Sequence, residues 1–438
     1  MSWSHSSSHV SIPHWTADFA GEDMVQRERI LDTIRDTYRQ FGFDPLHTPA
    51  LENARVFDWH HGEWEKLIFH LRDGGDNPLV LRYDLTVPLA RVVSMYPDLP
   101  KPYKRYQIGN VFRDDHVDKW HFREFTQCDG DVVGNSSLTA DADVIMLAHA
   151  GLHNLGFKDF VIRINHRRII KALAEKAWIN SPEGILAVQR ALDFADKVIK
   201  NGIEWIRQDL ETRWIEPSII ENIIRMVELK WQHQELLAEL DEIFRWNTEG
   251  QQGIQELREI IGYLPPDTLE KVSIDFTLAR GADYYTGFIL EGVIQNIPVG
   301  AVLWWGRYDN LVSAFGQDTQ PAVGMAFGFE RIYTAMHELW MFQSKNSPES
   351  IRILVASCYE RIHKIAFDGV QKLRKAQINA DFIDVQALNG DIEALKTYMR
   401  KRFFSALVIF WDSTHPEIIE KDENNWLSER LKTILMPA

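Results

Sequence analysis

Two runs of about ten residues, 104–113 and 122–133, alternate in side-chain character with period two on either side of a polar break, the pattern of paired strands joined by a loop. This pairing constrains the fold more than any other segment, because it commits the middle of the chain to a sheet. On the second run the alternation puts Arg123, Phe125, Gln127, Asp129 and Asp131 on one face and Glu124, Thr126 and Cys128 on the other. Arg113 closes the first run. Arginine grips phosphate through two parallel hydrogen bonds, a flat ring stacks on a base, and carboxylates take an amine or an imidazole. The same pattern also describes an antiparallel sheet with one solvated polar face, and at this point both readings stand.

A second cluster is LARGADYYTGFILE, residues 278–291. It sets Arg280 just before Gly281, and Asp283, Tyr284 and Tyr285 between Gly281 and Gly287, inside an apolar strand pattern. Glycine in a strand marks close backbone approach, and an arginine with no helical partner suits an anion. Asp84 and Thr86 stand where RYDLTVPLAR passes from strand to helix. GRYDNL (306–311) and GMAFGFERI (324–332) place glycines before Arg307 and Arg331, and a glycine-rich helix start suits a phosphate.

Around these clusters the chain divides by pattern. Ile30, Ile34 and Tyr38 form one stripe of a helix over 22–41, stopped by Gly42. Residues 168–268 turn helical and charged and read as an insertion; strand patterns return at 272–293 and 299–304, and a helix starts near Gly328. SKNSPES (344–350) is a linker by composition, and beyond it strands and helices alternate as in a small α/β domain. The expected divisions are thus 1–167, 168–268, 269–343, the linker 344–350, and 351–438. A net charge of −15 gives no global field toward nucleic acid, but residues 351–438 carry 13 Lys/Arg against 12 Asp/Glu, so the negative charge lies elsewhere. No apolar run approaches membrane-span length, and two cysteines far apart suit neither a disulfide framework nor a zinc site. Metal held by protein side chains is not expected, and a reducing cytoplasm is.

Together these segments resemble the class II aminoacyl-tRNA synthetases, specifically the histidyl-tRNA synthetase family, over essentially the whole chain. HTPALE (47–52) is similar to motif 1, VFRDD and HFREF within 111–125 to motif 2, and GMAFGFERI to motif 3. RYDLTVP and ARGADYYTG resemble the two signatures peculiar to the histidine enzymes. The resemblance implies an α+β fold: an antiparallel sheet flanked by helices, a helical insertion and a C-terminal α/β anticodon-binding-like domain. It implies activation of L-histidine with ATP and Mg2+, transfer to tRNA(His), and a homodimer built on motif 1. By the same resemblance Arg113, Asp115, His121, Phe125 and Arg331 would bind ATP. Asp84, Thr86, Gln127, Asp131, Tyr284 and Tyr285 would form the histidine pocket. Arg280 would also bind histidine through its carboxylate and, with Arg113, would stabilise the transition state. The alternative is a synthetase-like histidine sensor, such as a regulatory subunit of ATP phosphoribosyltransferase; that group usually lacks the last domain.

The chain departs from the family pattern in two places. His121 stands for an arginine of the motif 2 loop, and Trp304 and Trp305 stand for two small residues beside the substrate. Taken as written, an indole where only backbone fits blocks one face of the pocket. Trp15, Trp120 and Trp411 also replace family glycines. Two readings are open: ordinary tryptophan enrichment in drifted loops, or UGA codons that the host reads as glycine.

Overall fold

The computed structural model describes residues 11–57, 65–114, 122–176, 207–208, 211–212, 217, 220–221, 224, 233–276, 278, 285–316, 318–343, 351–388, 391–402, 404–412, 416–420 and 426–436. Two compact units emerge, one comprising residues 1–17 with Arg29–Leu339 and the other Asp18–Glu28 with Trp340–Ala438.

The first unit is built on an eight-stranded sheet. Along the chain its strands are β1 (Asp44–Pro45), then, after β2 (Leu51–Asn53), β3 (His70–Arg72) and β4 (Pro78–Leu81) of a separate small sheet, β5 (Tyr103–Phe112), β6 (Glu124–Val133), β7 (Phe160–His166), β8 (Val272–Ile274), β9 (Phe288–Ile294), β10 (Ala301–Gly306) and β11 (Ala322–Gly328). The spatial order is β1-β5-β6-β11-β10-β9-β7-β8. The two edge pairs, β1 with β5 and β7 with β8, are parallel; all pairs between them are antiparallel. The expected pairing of the two alternating runs is β5 with β6, joined over ten registered residue pairs from Tyr103↔Val133 to Phe112↔Glu124.

One face of this sheet is closed by helices α1 (Glu22–Gln40) and α3 (Thr139–Asn154); α2 (Thr86–Met95) lies between them in sequence. The stripe Ile30, Ile34 and Tyr38 is fully buried, as its spacing of four predicts. The Tyr38 ring lies where a side chain on Gly130 would be, and its hydroxyl donates to the Cys128 carbonyl at 2.8 Å. Phe327 of β11 likewise fills the space over Gly151 of α3. Glycine is required at both positions because a ring occupies the place of its Cβ. With one face spent on helices, the opposite face is left for chemistry.

The described part of 168–268 is helical, as expected: Arg167–Lys176, His233–Ile243, Thr248–Gly262 and Pro266–Leu269. Asn247 caps the third of these by accepting from the Gly250 N–H at 2.8 Å.

In the second unit, β12 (Arg352–Ser357), β13 (Asn379–Asp384) and β14 (Ala406–Phe410) are parallel. Alternate residues of β12 and β14 feed two cores. Ile353, Val355, Ala406 and Val408 pack with helices His363–Lys375 and Trp426–Leu435; Leu354, Ala356, Leu407 and Ile409 pack with helix Ile392–Lys401. A fourth strand, β15 (Glu417–Glu420), joins antiparallel to β14. It has no counterpart in the sequence reading, because EIIE is too short to show a period.

Candidate active site

The registers align one row of side chains across six strands of the open face. Gln107 stands opposite Asp129, Asp129 opposite Ala326, Ala326 opposite Trp304, Trp304 opposite Glu291, and Glu291 opposite Arg163. Directly opposed residues share a face, so this row is the floor of the site. Gln127, Asp129 and Asp131 are each 1% exposed, which excludes the solvated-polar-face reading of this strand. β11 contributes only the small residues Ala322, Gly324, Ala326 and Gly328 to this face; a Cβ on Gly324 would collide with the Asp131 carboxylate.

The deep end is organised by Arg105, which is completely buried. Its guanidinium pairs with Asp131 at 2.8 Å and donates to the Leu85 carbonyl at 3.0 Å. Tyr308 donates to the other Asp131 oxygen. Burial raises the Asp131 carboxyl, opposed by Arg105 and by the Tyr308 hydroxyl. Burial also raises Asp129 well above the usual carboxylate range, with Arg105 opposing and Asp131 adding to the rise. Asp84 is pushed up to about 6, chiefly by burial, while its carboxylate accepts from the Val87 N–H at 3.0 Å in the first turn of α2. Gln127 donates to Asp129 at 2.9 Å. Thr86 Oγ1, Gln127 Oε1 and Asp129 Oδ1 are among the buried atoms at this end with no hydrogen-bond partner among the described residues. Such atoms are costly unless a ligand meets them.

The outer end is an open cleft lined by Arg113, Phe122, Phe125, Thr126, Gln127, Trp304, Gly328, Phe329, Glu330 and Arg331. Arg113 lies over two rings, 4.2 Å from the Tyr83 centroid and 5.0 Å from that of Phe125, and donates to the Tyr83 carbonyl at 3.3 Å. Arg331, near the start of helix Phe329–Glu338, donates to the Ala301 carbonyl at 2.9 Å and sits 5.6 Å over the Trp304 ring. Gln127 borders both ends.

The expected site residues thus divide. Arg113, Phe125, Gln127 and Arg331 come together on the cleft. Asp84, Thr86, Asp131 and Tyr285 are buried at the deep end, where Tyr285 acts on Tyr308. Asp115, His121, Arg280 and Tyr284 lie outside the described residues, as do Asp283 and Gly281. Arg307, which follows Gly306 in GRYDNL, is structural: it pairs with buried Asp141 at 3.0 Å and with Asp309 at 3.2 Å. Its side chain, not a ligand, is what approaches Gly287, at 3.2 Å from a Cβ there. Arg105 and Tyr308 had no assigned role from sequence. The available signal was a charged residue inside the alternating run of β5, and it names no partner until Asp131 is seen opposite.

Among the described residues no group of three His, Cys, Asp or Glu could hold a metal ion, and no helix is long and apolar enough to cross a membrane.

A family model described as histidyl-tRNA synthetase matches residues 16–332. The histidine–tRNA ligase of Cytophaga hutchinsonii is 37% identical over 85% of this chain and 86% of its own length. That of Aeropyrum pernix is 34% identical over 88% of this chain and 87% of its own. Among solved structures, a histidyl-tRNA synthetase from Nostoc sp. PCC 7120 superposes with a TM-score of 0.78 at 24% identity, covering 97% of this chain and 99% of that one. A Bacillus halodurans protein titled ATP phosphoribosyltransferase regulatory subunit/histidyl-tRNA synthetase gives 0.75 at 21% identity, covering 92% and 98%. At those identities the two structures speak to the fold alone.

Proposed function

The chain belongs to the histidyl-tRNA synthetase family, and we propose that the two ends of its open-face site join L-histidine to ATP and pass the activated amino acid to tRNA(His). The observation that carries this reading is the single row of side chains joining a buried, polar deep end to a cleft with cations at its margin. Histidine occupies the deep end. Thr86 Oγ1, Gln127 Oε1 and Asp129 Oδ1 meet its polar atoms, and Asp131, held by Arg105 and Tyr308, faces them as a fixed charge. A pocket that bonds both imidazole nitrogens rejects amino acids lacking them, because its own buried groups are then left unpaired.

ATP occupies the outer end, with adenine on Phe125 and the phosphates between Arg113 and Arg331. The histidine carboxylate attacks the α-phosphorus and pyrophosphate leaves. Charge builds on the phosphorus oxygens, and the work of the protein is to hold cations there in advance. Arg113 is restrained by two rings and a carbonyl, so it needs little reorganisation. Arg280 would add a second cation from the ARGADYYTG segment. Oxygen donors suit Mg2+; if the ion entered with ATP, Glu330 on the cleft lining would help to hold it, and its charge would offset that of the phosphates. In the second step a terminal ribose hydroxyl of the tRNA attacks the carbonyl of the adenylate and AMP leaves.

Division of the chain at 344–350, an anticodon-reading role for 351–438, a homodimer through HTPALE and a cytoplasmic location complete the proposal. Leu51 of HTPALE is 49% exposed on β2, the kind of apolar surface a second copy would cover. The test is charging of tRNA(His) with labelled histidine by the full chain and by a chain ending at residue 349. The full chain is expected to charge, the shortened one to lose most charging while keeping histidine-dependent ATP–pyrophosphate exchange. Equal charging by both would remove the anticodon role; histidine binding without charging or exchange by the full chain would favour the sensor reading.

A further inference from the structure

We infer that positions 15, 304 and 340 are occupied by glycine in the protein as its own host makes it, each encoded by UGA, a codon that translation systems read differently. Two of the three observations are backbone ones. Among the described residues five non-glycines have positive φ: Trp15 (64°), Asp76, Asn296, Trp340 (56°) and Gln377. Asp and Asn tolerate this region because their short polar side chains bond locally; a bulky ring does not. Neither indole recovers the cost by burial, since Trp15 is 45% and Trp340 69% exposed.

Position 340 has two internal counterparts. Helix α1 ends at Gln40 and the second residue beyond it is Gly42, with φ 74°; α3 ends at Asn154 and the second residue beyond it is Gly156, with φ 91°. Helix Phe329–Glu338 ends in the same way, and the second residue beyond it is Trp340. This left-handed position past a helix end is where glycine is most favoured. Gln377 occupies the equivalent place after helix His363–Lys375, so other residues are tolerated there, but a glutamine keeps no exposed ring.

The third observation is steric, and it rests on the nucleotide reading of the cleft. Trp304 stands between Ala326 and Glu291 in the floor of the site, beside a strand that shows only Ala322, Gly324, Ala326 and Gly328 to that face. Its ring carbon Cζ3 is 2.6 Å from where a Cβ on Gly328 would be, so the indole covers Gly328 inside the nucleotide end. It also holds the Arg331 guanidinium over its ring. Glycine at 304 extends the small-residue floor onto β10 and releases Arg331 from the indole toward phosphate. The inference is selective: Trp411 and Trp246 are not in the left-handed region and their ring N–H groups donate to Glu417 at 2.8 Å and to the Ile243 carbonyl at 3.0 Å.

The test is peptide mass spectrometry of protein purified from its own host, together with the codons at the three positions. Glycine masses and UGA codons are expected at 15, 304 and 340. A tryptophan mass or a UGG codon at any of them overturns the inference. In parallel, the tryptophan-bearing chain and the triple variant Trp15→Gly, Trp304→Gly, Trp340→Gly, both made in a host that decodes none of the three positions ambiguously, are compared. The triple variant should melt several degrees higher and bind ATP about tenfold or more tightly, the scale of relieving an overpacked site. A lower melting point with unchanged ATP affinity counts against it. Glycine masses with no ATP binding by the host-made protein would leave the inference standing and overturn the nucleotide reading instead.

Discussion

The two ends of the site hold their cations in opposite ways. Arg105, at the deep end, is wholly buried and committed to Asp131 and the Leu85 carbonyl. Arg113, at the outer end, leans on two aromatic rings and one long carbonyl contact, with no carboxylate paired to it at salt-bridge distance among the described residues. A buried charge must be neutralised within the protein, so Arg105 is part of the fold and fixes the shape of a pocket for a small ligand. A cation held by rings keeps its hydrogen-bonding capacity for an incoming anion. The difference teaches that charge in this site has two functions, scaffold and catalyst, and substitutions should separate them.

The largest effect is expected from Asp131→Ala. It leaves Arg105 buried without its carboxylate, a loss of about 3–5 kcal/mol in stability, read as a lower chemical-denaturation midpoint. Stability within about 1 kcal/mol of the unaltered protein would mean that Arg105 finds another partner and that the deep end is not a scaffold. Next comes Arg113→Ala, where the cost should fall on rate instead. Removing one preorganised transition-state donor slows such steps by about 10²–10³-fold, so histidine-dependent exchange should drop that far while the denaturation midpoint stays put. A fall in stability with unchanged exchange would reverse the assignment of the two ends.

Much of this contrast was legible before the fold was known. Period-two alternation placed Phe125, Gln127, Asp129 and Asp131 on one face, and the structure keeps them there. The helical stripe Ile30, Ile34 and Tyr38 was equally plain. What local pattern does not carry is register. Arg105 meets Asp131 only because β5 and β6 pair in one particular alignment, and Tyr308 reaches the same carboxylate from a loop 177 residues away in sequence. Arg307 shows the converse limit. Glycine followed by arginine looks the same whether the arginine faces a phosphate or, as here, a buried Asp141. The small sheet β2-β4-β3 escaped notice as a unit because its strands have three or four residues, too few for a period to register.

The smallest effect concerns pH and belongs to the deep end alone. Asp84 has a folded value of about 6 against an ordinary 3.8. The native state therefore binds the extra proton first, and stability rises as pH falls from about 6 toward 4. Burial of the charged form costs at most about 3 kcal/mol at neutral pH, from roughly two pKa units at about 1.4 kcal/mol each. Asp84→Asn keeps an oxygen for the Val87 N–H without the charge, so it should be the more stable protein at pH 7 and lose that advantage by about pH 4. Denaturation midpoints of both proteins across this range check it; parallel curves would show that Asp84 is not the group responsible.

The claim that joins the two ends is that they act on one pair of substrates. Histidine-dependent exchange of labelled pyrophosphate into ATP, measured on protein purified from its own host, tests it directly. Exchange that requires histidine, and that other amino acids do not support, is the predicted result. Tight histidine binding with no exchange would contradict it, because the deep end would then work without the outer one.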